Sequence, residues 1–127
     1  MDKKIESYKD LDVYQKLVEL HLQLNDLSQT FPKFELYELG SQIRRSSNSA
    51  PANLAEGWNN KHINIYLEGI NRAQGEINET QHHLFVAYRK KYLDEKSFNF
   101  YEGEYTICGK MLTNLKRSLI NYKTSER

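Results

Sequence analysis

Residues 41–58, SQIRRSSNSAPANLAEGW, decide how this chain folds. The stretch has a helical composition, but Pro51 lies inside it. A proline there removes one backbone hydrogen bond and crowds the preceding turn, so we predict a kink. The positions that should face a core become small and polar after Ile43, and small residues let two helices approach closely. These positions are Ser46, Ala50, Asn53 and Gly57.

The same stretch carries four polar side chains that admit two interpretations: Arg44, Arg45, Asn53 and Glu56. The first interpretation is a structural polar network, formed with Arg72, Glu76 and Glu79 of the third helix, that fixes how the second helix packs. The second is an anion site built around the two arginines, because guanidinium groups match phosphate oxygens.

The spacing of apolar residues predicts four helices. The first starts at an N-cap at Asp10 and runs to about Phe31, the second runs from Phe34 or Glu35 to about Gly57, the third covers about 62–91, and the fourth starts at a cap at Asp94. In each helix the residues expected to face the core form one row, which we call its seam. Their alternating three- and four-residue spacing is typical of a left-handed bundle. The seams are Val13, Leu17, Leu20, Leu24, Leu27, Phe31; Leu36, Leu39, Ile43, Ser46, Ala50, Asn53, Gly57; Ile63, Tyr66, Ile70, Ala73, Ile77, Thr80, Leu84, Ala87; and Phe98, Tyr101, Tyr105, Cys108, Leu112, Leu115, Leu119, Tyr122.

These elements predict an all-α fold, an antiparallel up-down-up-down four-helix bundle whose second helix is kinked at Pro51. A long parallel coiled coil is the main alternative, and Pro32, a stop at Gly57 and the loop at 92–94 disfavour it. Surplus apolar residues outside the seams of the first and third helices indicate self-association. They are Leu11, Tyr14, Val18, Leu67, Phe85 and Tyr88.

Length and composition predict one domain, residues 1–127 with a core over about 10–122. The net charge of +1 excludes an acidic protein that mimics nucleic acid. It also does not by itself indicate a strongly cationic protein that binds nucleic acid. The single cysteine, Cys108, excludes an internal disulfide and suits a reducing cytoplasm. No signal peptide or membrane span is recognisable, so we predict a cytoplasmic protein without a membrane partner.

Candidate catalytic and metal-binding residues form no complete pattern. Glu79 and His82 have the Glu-x-x-His spacing of di-iron bundles, but no second such pair exists. Cys108 falls on an apolar seam, where an inert thiol is usual, and the serines at 46, 47 and 49 lack a nucleophile elbow. We therefore predict no metal site, no cofactor and no enzymatic activity.

Positive charge increases along the chain. From residue 91 onward there are seven Lys or Arg against five Asp or Glu, whereas residues 1–32 have four against six. Candidate nucleic-acid contacts are Arg89, Lys90 and Lys91 at the end of the third helix and Lys110, Lys116, Arg117 and Lys123 outside the seam of the fourth. The alternative is a solvated helix face, with favourable pairing of the first three with the helix dipole.

Three stretches carry a resemblance to a known family: DLDVYQKLVEL, FPKFELYELGSQIRRSSNSAPANLAEGW and ICGKMLTNLKRSL. From about Tyr8 to Tyr122 the chain resembles the small four-helix-bundle proteins encoded by intervening sequences of bacterial large-subunit ribosomal RNA genes. The resemblance implies a homopentamer without established enzymatic activity. It also implies kinship with the accessory protein of diversity-generating retroelements, a basic pentamer that binds nucleic acid and its reverse transcriptase.

The first functional hypothesis is therefore a non-enzymatic homo-oligomer, a pentamer by resemblance, that binds RNA or DNA through a basic surface repeated in each subunit. The second is a protein–protein interaction scaffold that does not bind nucleic acid. A third, a small-ligand site around Arg44 and Arg45, follows from the anion-site interpretation of those two residues.

Overall fold

Four α-helices account for most of residues 4–125, the part of the chain that the computed structural model describes. They are α1 (Asp12–Ser28), α2 (Leu39–Gly57), α3 (Ile63–Arg89) and α4 (Glu95–Ser125). Short 3₁₀ turns at Tyr8–Asp10 and Lys33–Glu35 precede α1 and α2. The described range contains no strand, so the predicted all-α fold is confirmed. No helix in that range is both long and apolar enough to cross a membrane.

Side-chain contacts show that neighbouring helices run antiparallel. Arg44 of α2 reaches Ser28 at the end of α1, while Ser47, further along α2, reaches His21 in the middle of α1. On the next pair, Ser46 bonds Thr80 of α3. α1 packs against α2 and α4, and α3 packs against the same two helices, whereas no contact joins α2 to α4 among the described residues. This is the predicted up-down-up-down bundle.

The core follows the predicted seams most closely in α3. All of its predicted seam residues are buried except Ile63, which is half-buried. In α4 fewer of the predicted seam residues are buried. Tyr105, Cys108 and Leu112 are fully buried, whereas Tyr122 is exposed. With 31 residues α4 is much longer than its neighbour α1, which has 17. A helix rises about 1.5 Å per residue, so α1 can cover only part of the length of α4.

Helices α2 and α3 approach each other closely at two glycines. A Cβ atom on Gly57 would lie 3.0 Å from the carbonyl oxygen of Ile65, and one on Gly69 would lie 2.8 Å from that of Asn53. Gly57 does end α2, as predicted, but its φ is not positive. The left-handed residue of this turn is Asn59, with φ 54°. Gly57 is therefore required by packing rather than by the turn.

The starts of α1 and α2 differ from the prediction. Asp10 does not cap α1, because its carboxylate accepts backbone N–H bonds from Glu6 and Ser7 and closes a capping box around the first 3₁₀ turn. α2 begins at Leu39, several residues after the predicted 34 or 35, because residues 33–35 form the second 3₁₀ turn. At α4, Asp94 accepts the Ser97 N–H at 2.7 Å, as expected of a cap.

Two further backbone features concern Pro51 and Lys91. α2 remains helical on both sides of the buried Pro51, so the kink stays a prediction. α3 ends in a Schellman motif, in which the N–H of Tyr92 bonds the carbonyl of Ala87 and that of Lys91 bonds Tyr88. Lys91 holds φ 67° at the position where glycine is usual, which stores strain of about 1 kcal/mol.

Candidate nucleic-acid interface

Arg44 joins α2 to the end of α1. Its guanidinium donates to the Ser28 hydroxyl at 2.9 Å and to the Leu36 carbonyl at 2.6 Å. Ser28 is fully buried, and the arginine itself is half-buried. Both contacts lie within the bundle, so this guanidinium holds the α1–α2 connection in place and has no geometry of an open anion site.

Arg45 faces a different partner, the neighbouring helix α3. It forms ion pairs with Glu76, at 3.4 Å, and with Glu79. Glu79 also contacts His83, at 3.3 Å between Oε2 and Nε2. Burial, followed by the nearby His82, lowers the pKa of His83. The charge of Arg45 is thus balanced by two carboxylates, and Glu79 belongs to this polar network.

Asn53 and Glu56 lie in a third environment, where they line a cavity of ≈ 350 Å³ near the Gly57–Gly69 contact. Arg72 also lines this cavity, but it pairs with Glu68 of its own helix at 2.7 Å. Neither Asn53 nor Glu56 makes a side-chain hydrogen bond or ion pair within residues 4–125. The structure therefore distributes the four predicted polar residues over three separate environments.

A polar ladder lies along the contact between α3 and α4. Four amide side chains of α3 each meet a hydroxyl or ammonium group of α4. The paired residue numbers rise on one helix as they fall on the other, as antiparallel packing requires. The bonds are Gln81–Thr106 at 3.2 Å, Gln74–Thr113 at 3.0 Å, Asn71–Lys116 at 2.7 Å and Asn64–Lys123 at 3.1 Å. Two of the predicted cations, Lys116 and Lys123, are therefore held against α3.

The other two α4 cations, Lys110 and Arg117, line an open groove of ≈ 620 Å³ along this ladder. The groove residues supply amides, hydroxyls, two positive charges and no carboxylate. On α3 they are Gln74, Ile77, Asn78 and Gln81, and on α4 they are Tyr105, Thr106, Gly109, Lys110, Thr113, Asn114 and Arg117. Their arrangement can accept an anion that also offers hydrogen-bonding groups.

Charge is divided sharply along α4. Residues 95–104 contain Glu95, Glu102 and Glu104 against one cation, Lys96. Residues 105–125 contain no carboxylate, and their four cations all belong to the ladder or the groove, namely Lys110, Lys116, Arg117 and Lys123. A chain of nearly neutral net charge thus carries four cations and no carboxylate on this part of α4, and we call the surface formed by Lys110, Lys116, Arg117 and Lys123 the α4 basic face.

The remaining predicted cations, at the end of α3, lie near the opposite end of α4. Lys90 donates to the buried carboxylate of Glu35 at 2.8 Å, and the Tyr92 hydroxyl donates to the same oxygen at 2.8 Å. Arg89 lies over the ring of Phe85, 5.8 Å from its centroid. Lys91 is exposed and occupies the strained position at the helix end. Lys90 thus has a structural partner, and these three cations are separate from the α4 basic face.

Potential catalytic groups have little access to substrate. His21 Nδ1 lies 2.8 Å from the Ser47 hydroxyl, a distance that a nucleophile–base pair would need, but Ser47 is fully buried. Burial lowers the pKa of His21. Cys108 is also fully buried, which raises the pKa of its thiol to about 11. In residues 4–125, no group of three or more His, Cys, Asp or Glu side chains is placed to hold a metal ion.

Several large apolar side chains remain exposed on single copies of the chain. The most exposed are Tyr37, at 83%, and Phe34, at 69%, which lie in the α1–α2 connection. Others with about half of their surface exposed are Leu22, Ile65, Phe85, Phe100, Ile107, Ile120 and Tyr122. Scattered apolar residues are normal on a surface, whereas aromatic side chains this exposed commonly mark contacts.

Two features of the site lie outside the sequence-based predictions. The first is Glu35, whose burial depends on contacts with residues more than fifty positions away and leaves no local signal. The second is the amide stripe Asn64, Asn71, Gln74, Asn78 and Gln81 on α3. Its spacings of seven, three, four and three are those of a helix face, and this periodicity of polar residues could have identified it.

Comparisons with known proteins agree with this fold. A family model described as 23S rRNA-intervening sequence protein matches residues 9–114. A crystal structure of a protein of unknown function from the S23 ribosomal protein family of Bacteroides thetaiotaomicron superposes with a TM-score of 0.72. The identity is 24%, over 83% of this chain and 95% of that one, which shows a common fold. No curated protein sequence matches. Because the family model covers most of its length, the chain belongs to the family of 23S rRNA-intervening sequence proteins.

Proposed function

We propose that this chain is a non-enzymatic cytoplasmic protein that assembles into a homopentamer and binds RNA or DNA through the α4 basic face. The observation that supports nucleic-acid binding is the absence of carboxylates from residues 105–125, where Lys110, Lys116, Arg117 and Lys123 lie along the ladder and the groove. Phosphate contacts supply most of the affinity of such proteins, and they require positive charge that carboxylates do not neutralise.

Assembly would convert a modest patch into an effective binding surface. Each subunit contributes four cations on the α4 basic face. Binding sites that are joined in one assembly gain affinity, because after the first contact the later ones form within a single complex. The exposed aromatic side chains of Phe34 and Tyr37 support self-association. Together with the resemblance given above, they favour a ring of five copies over a monomer.

The first test is charge reversal at the groove. We expect the double variant Lys110→Glu, Arg117→Glu to bind structured RNA at least about tenfold more weakly, and the slope of log affinity against log salt to fall by about two, one for each lost phosphate contact. Neither side chain forms an ion pair within residues 4–125, so the fold should be kept. Filter binding over a range of salt concentrations measures both quantities.

The control is Lys33→Glu, Lys96→Glu, which changes the net charge equally at exposed positions away from the groove. If both double variants lose the same affinity, the effect is one of net charge and the α4 basic face is not the interface. If the unmodified protein binds no RNA or DNA even at low salt, nucleic-acid binding is excluded.

The second test concerns assembly. Native mass spectrometry of protein purified without nuclease is expected to show a five-subunit species with nucleic acid attached. The same sample after nuclease treatment should keep five subunits, because the proposed contacts between copies are apolar. A monomer at micromolar concentration would exclude the assembly, and another subunit number would exclude the pentamer.

A second candidate function is a protein–protein interaction scaffold, which the exposure of Phe34 and Tyr37 favours. The two functions separate in the charge-reversed variant Lys110→Glu, Arg117→Glu. A scaffold would keep a defined protein partner in this variant and after nuclease treatment. A nucleic-acid binder would lose its retained material under both conditions.

A further inference from the structure

The polar ladder between α3 and α4 lacks a side-chain hydrogen bond at one position, which we call the missing rung. The register that joins Gln81 to Thr106 and Gln74 to Thr113 places Asn78 opposite Gly109. Glycine has no side chain to meet the amide, and the side chain of Asn78 makes no hydrogen bond within residues 4–125. A Cβ atom added to Gly109 would meet nothing within 4 Å. The missing rung therefore opens the groove at this level.

The surroundings of this opening are polar and positively charged. Lys110 and Arg117 lie along the same groove, and neither has a carboxylate partner in the described range. Tyr105 also lines the groove, and its hydroxyl is the one buried side-chain polar atom there or elsewhere in residues 4–125 that lacks a hydrogen-bond partner.

We propose that the opening between Asn78 and Gly109 receives one unpaired base of a single-stranded nucleic acid, with its neighbouring phosphates at Lys110 and Arg117. This inference rests on the proposed function and names the form of nucleic acid that the groove takes. A primary amide offers a donor and an acceptor side by side, which matches the edge of a base. Base edges are accessible in single strands and loops, whereas the major groove of A-form RNA is too narrow for side chains to read.

The composition of the groove favours a nucleotide over a peptide. No carboxylate is present to pair with basic side chains, and the apolar residues Ile77 and Tyr105 that line the groove are themselves buried. Its volume of ≈ 620 Å³ falls within the range of about 300–1,000 Å³ that is usual for ligand sites. The ligand expected here is polar and anionic and inserts one planar group.

Filling the missing rung tests the inference. Gly109→Leu places a side chain in the groove, and Gly103→Leu is its matched control on the same helix, because a Cβ there also meets nothing within 4 Å and the residue does not line the groove. Both changes replace a helical glycine with a better helix former, so both variants should fold. The probes are a labelled unstructured RNA of about 12 nucleotides and a duplex of the same length, within the footprint of single-strand binders.

We expect the unmodified protein to prefer the single strand. Gly109→Leu should weaken single-strand binding by about tenfold, the discrimination of a lost amide–base contact, and leave duplex binding unchanged. Asn78→Ala should have the same selective effect, and Gly103→Leu should have none. If the unmodified protein binds RNA but Gly109→Leu behaves like Gly103→Leu, or weakens both probes equally, the inference is overturned while the proposed function stands. If the unmodified protein binds neither probe, nor DNA strands of the same sequences, even at low salt, the proposed function itself fails.

Discussion

Gly69→Ala is expected to lower the free energy of unfolding by about 2 kcal/mol, a typical effect of overpacking. The added methyl carbon would lie 2.8 Å from the carbonyl oxygen of Asn53 and 3.3 Å from Cα of Gly57. Both atoms belong to the backbone of α2, so no side chain can turn away to make room. The two helices must instead move apart at their closest contact, and this loosens the packing of Leu54 and Ile70 nearby, which are both fully buried.

The matched control is Gly75→Ala on the same helix. A Cβ there meets nothing within 4 Å, and alanine favours a helix over glycine by about 1 kcal/mol. The same substitution six residues apart should therefore change stability in opposite directions. Urea denaturation of the two variants measures the difference. If Gly69→Ala is as stable as Gly75→Ala, the α2–α3 approach is not as close as the structure shows.

The close approach of α2 and α3 could be anticipated in part from the sequence. The small residues after Ile43 indicate that α2 packs tightly, and Ser46 and Ala50 are indeed fully buried. The partner residue could not be identified, because Gly69 lies within a helix that also contains Gly75, and the two glycines look alike in the sequence. Which of them meets Gly57 depends on how the loop at 58–62 sets the register of two helices.

The helices themselves were predictable because their apolar residues repeat with helical spacing, and in α3 this spacing identifies nearly every buried residue. Their starts were less predictable. Asp10 has the composition of a cap, yet Ser7 recruits it into an earlier turn. Glu35 suits a first helical turn, yet α2 starts four residues later and the carboxylate of Glu35 bonds to Lys90 and Tyr92. Local preference decides helix ends only where no tertiary contact competes.

The candidate site was likewise predictable only in part. Charge can be counted along the sequence, and the count pointed to Lys110, Lys116, Arg117 and Lys123, none of which is fully buried. Their contact with nucleic acid stays a prediction. The groove could not be anticipated, because it arises where Gly109 faces Asn78 across two antiparallel helices. Likewise, adjacent positions in the sequence suggested a common role for Arg44 and Arg45. Successive residues of a helix point about 100° apart, and these two contact opposite neighbours.

Glu35→Ala is expected to destabilise the protein by about 2 kcal/mol, the usual effect of removing strong hydrogen bonds to a charged group. Glu35 is fully buried, and its carboxylate accepts hydrogen bonds from Lys90 and Tyr92, which both precede α4. Together they tie the α1–α2 connection to the α3–α4 turn at one end of the bundle. Glu38→Ala is the control, since Glu38 is an exposed carboxylate of the same segment and should change stability by no more than about 0.5 kcal/mol.

The contribution of the Glu35 contacts to stability should also depend on pH. The bonds from Lys90 and then Tyr92 hold the pKa of Glu35 below its ordinary value of 4.5. A carboxyl group with a lowered pKa in the folded state contributes stability above its unfolded pKa, and this contribution is lost as the pH falls through the folded pKa. Melting temperature should thus fall less in Glu35→Ala than in the unmodified protein or Glu38→Ala when the pH is lowered below about 4.5. Equal acid sensitivity in all three proteins would mean that the Glu35–Lys90 pair contributes nothing to stability.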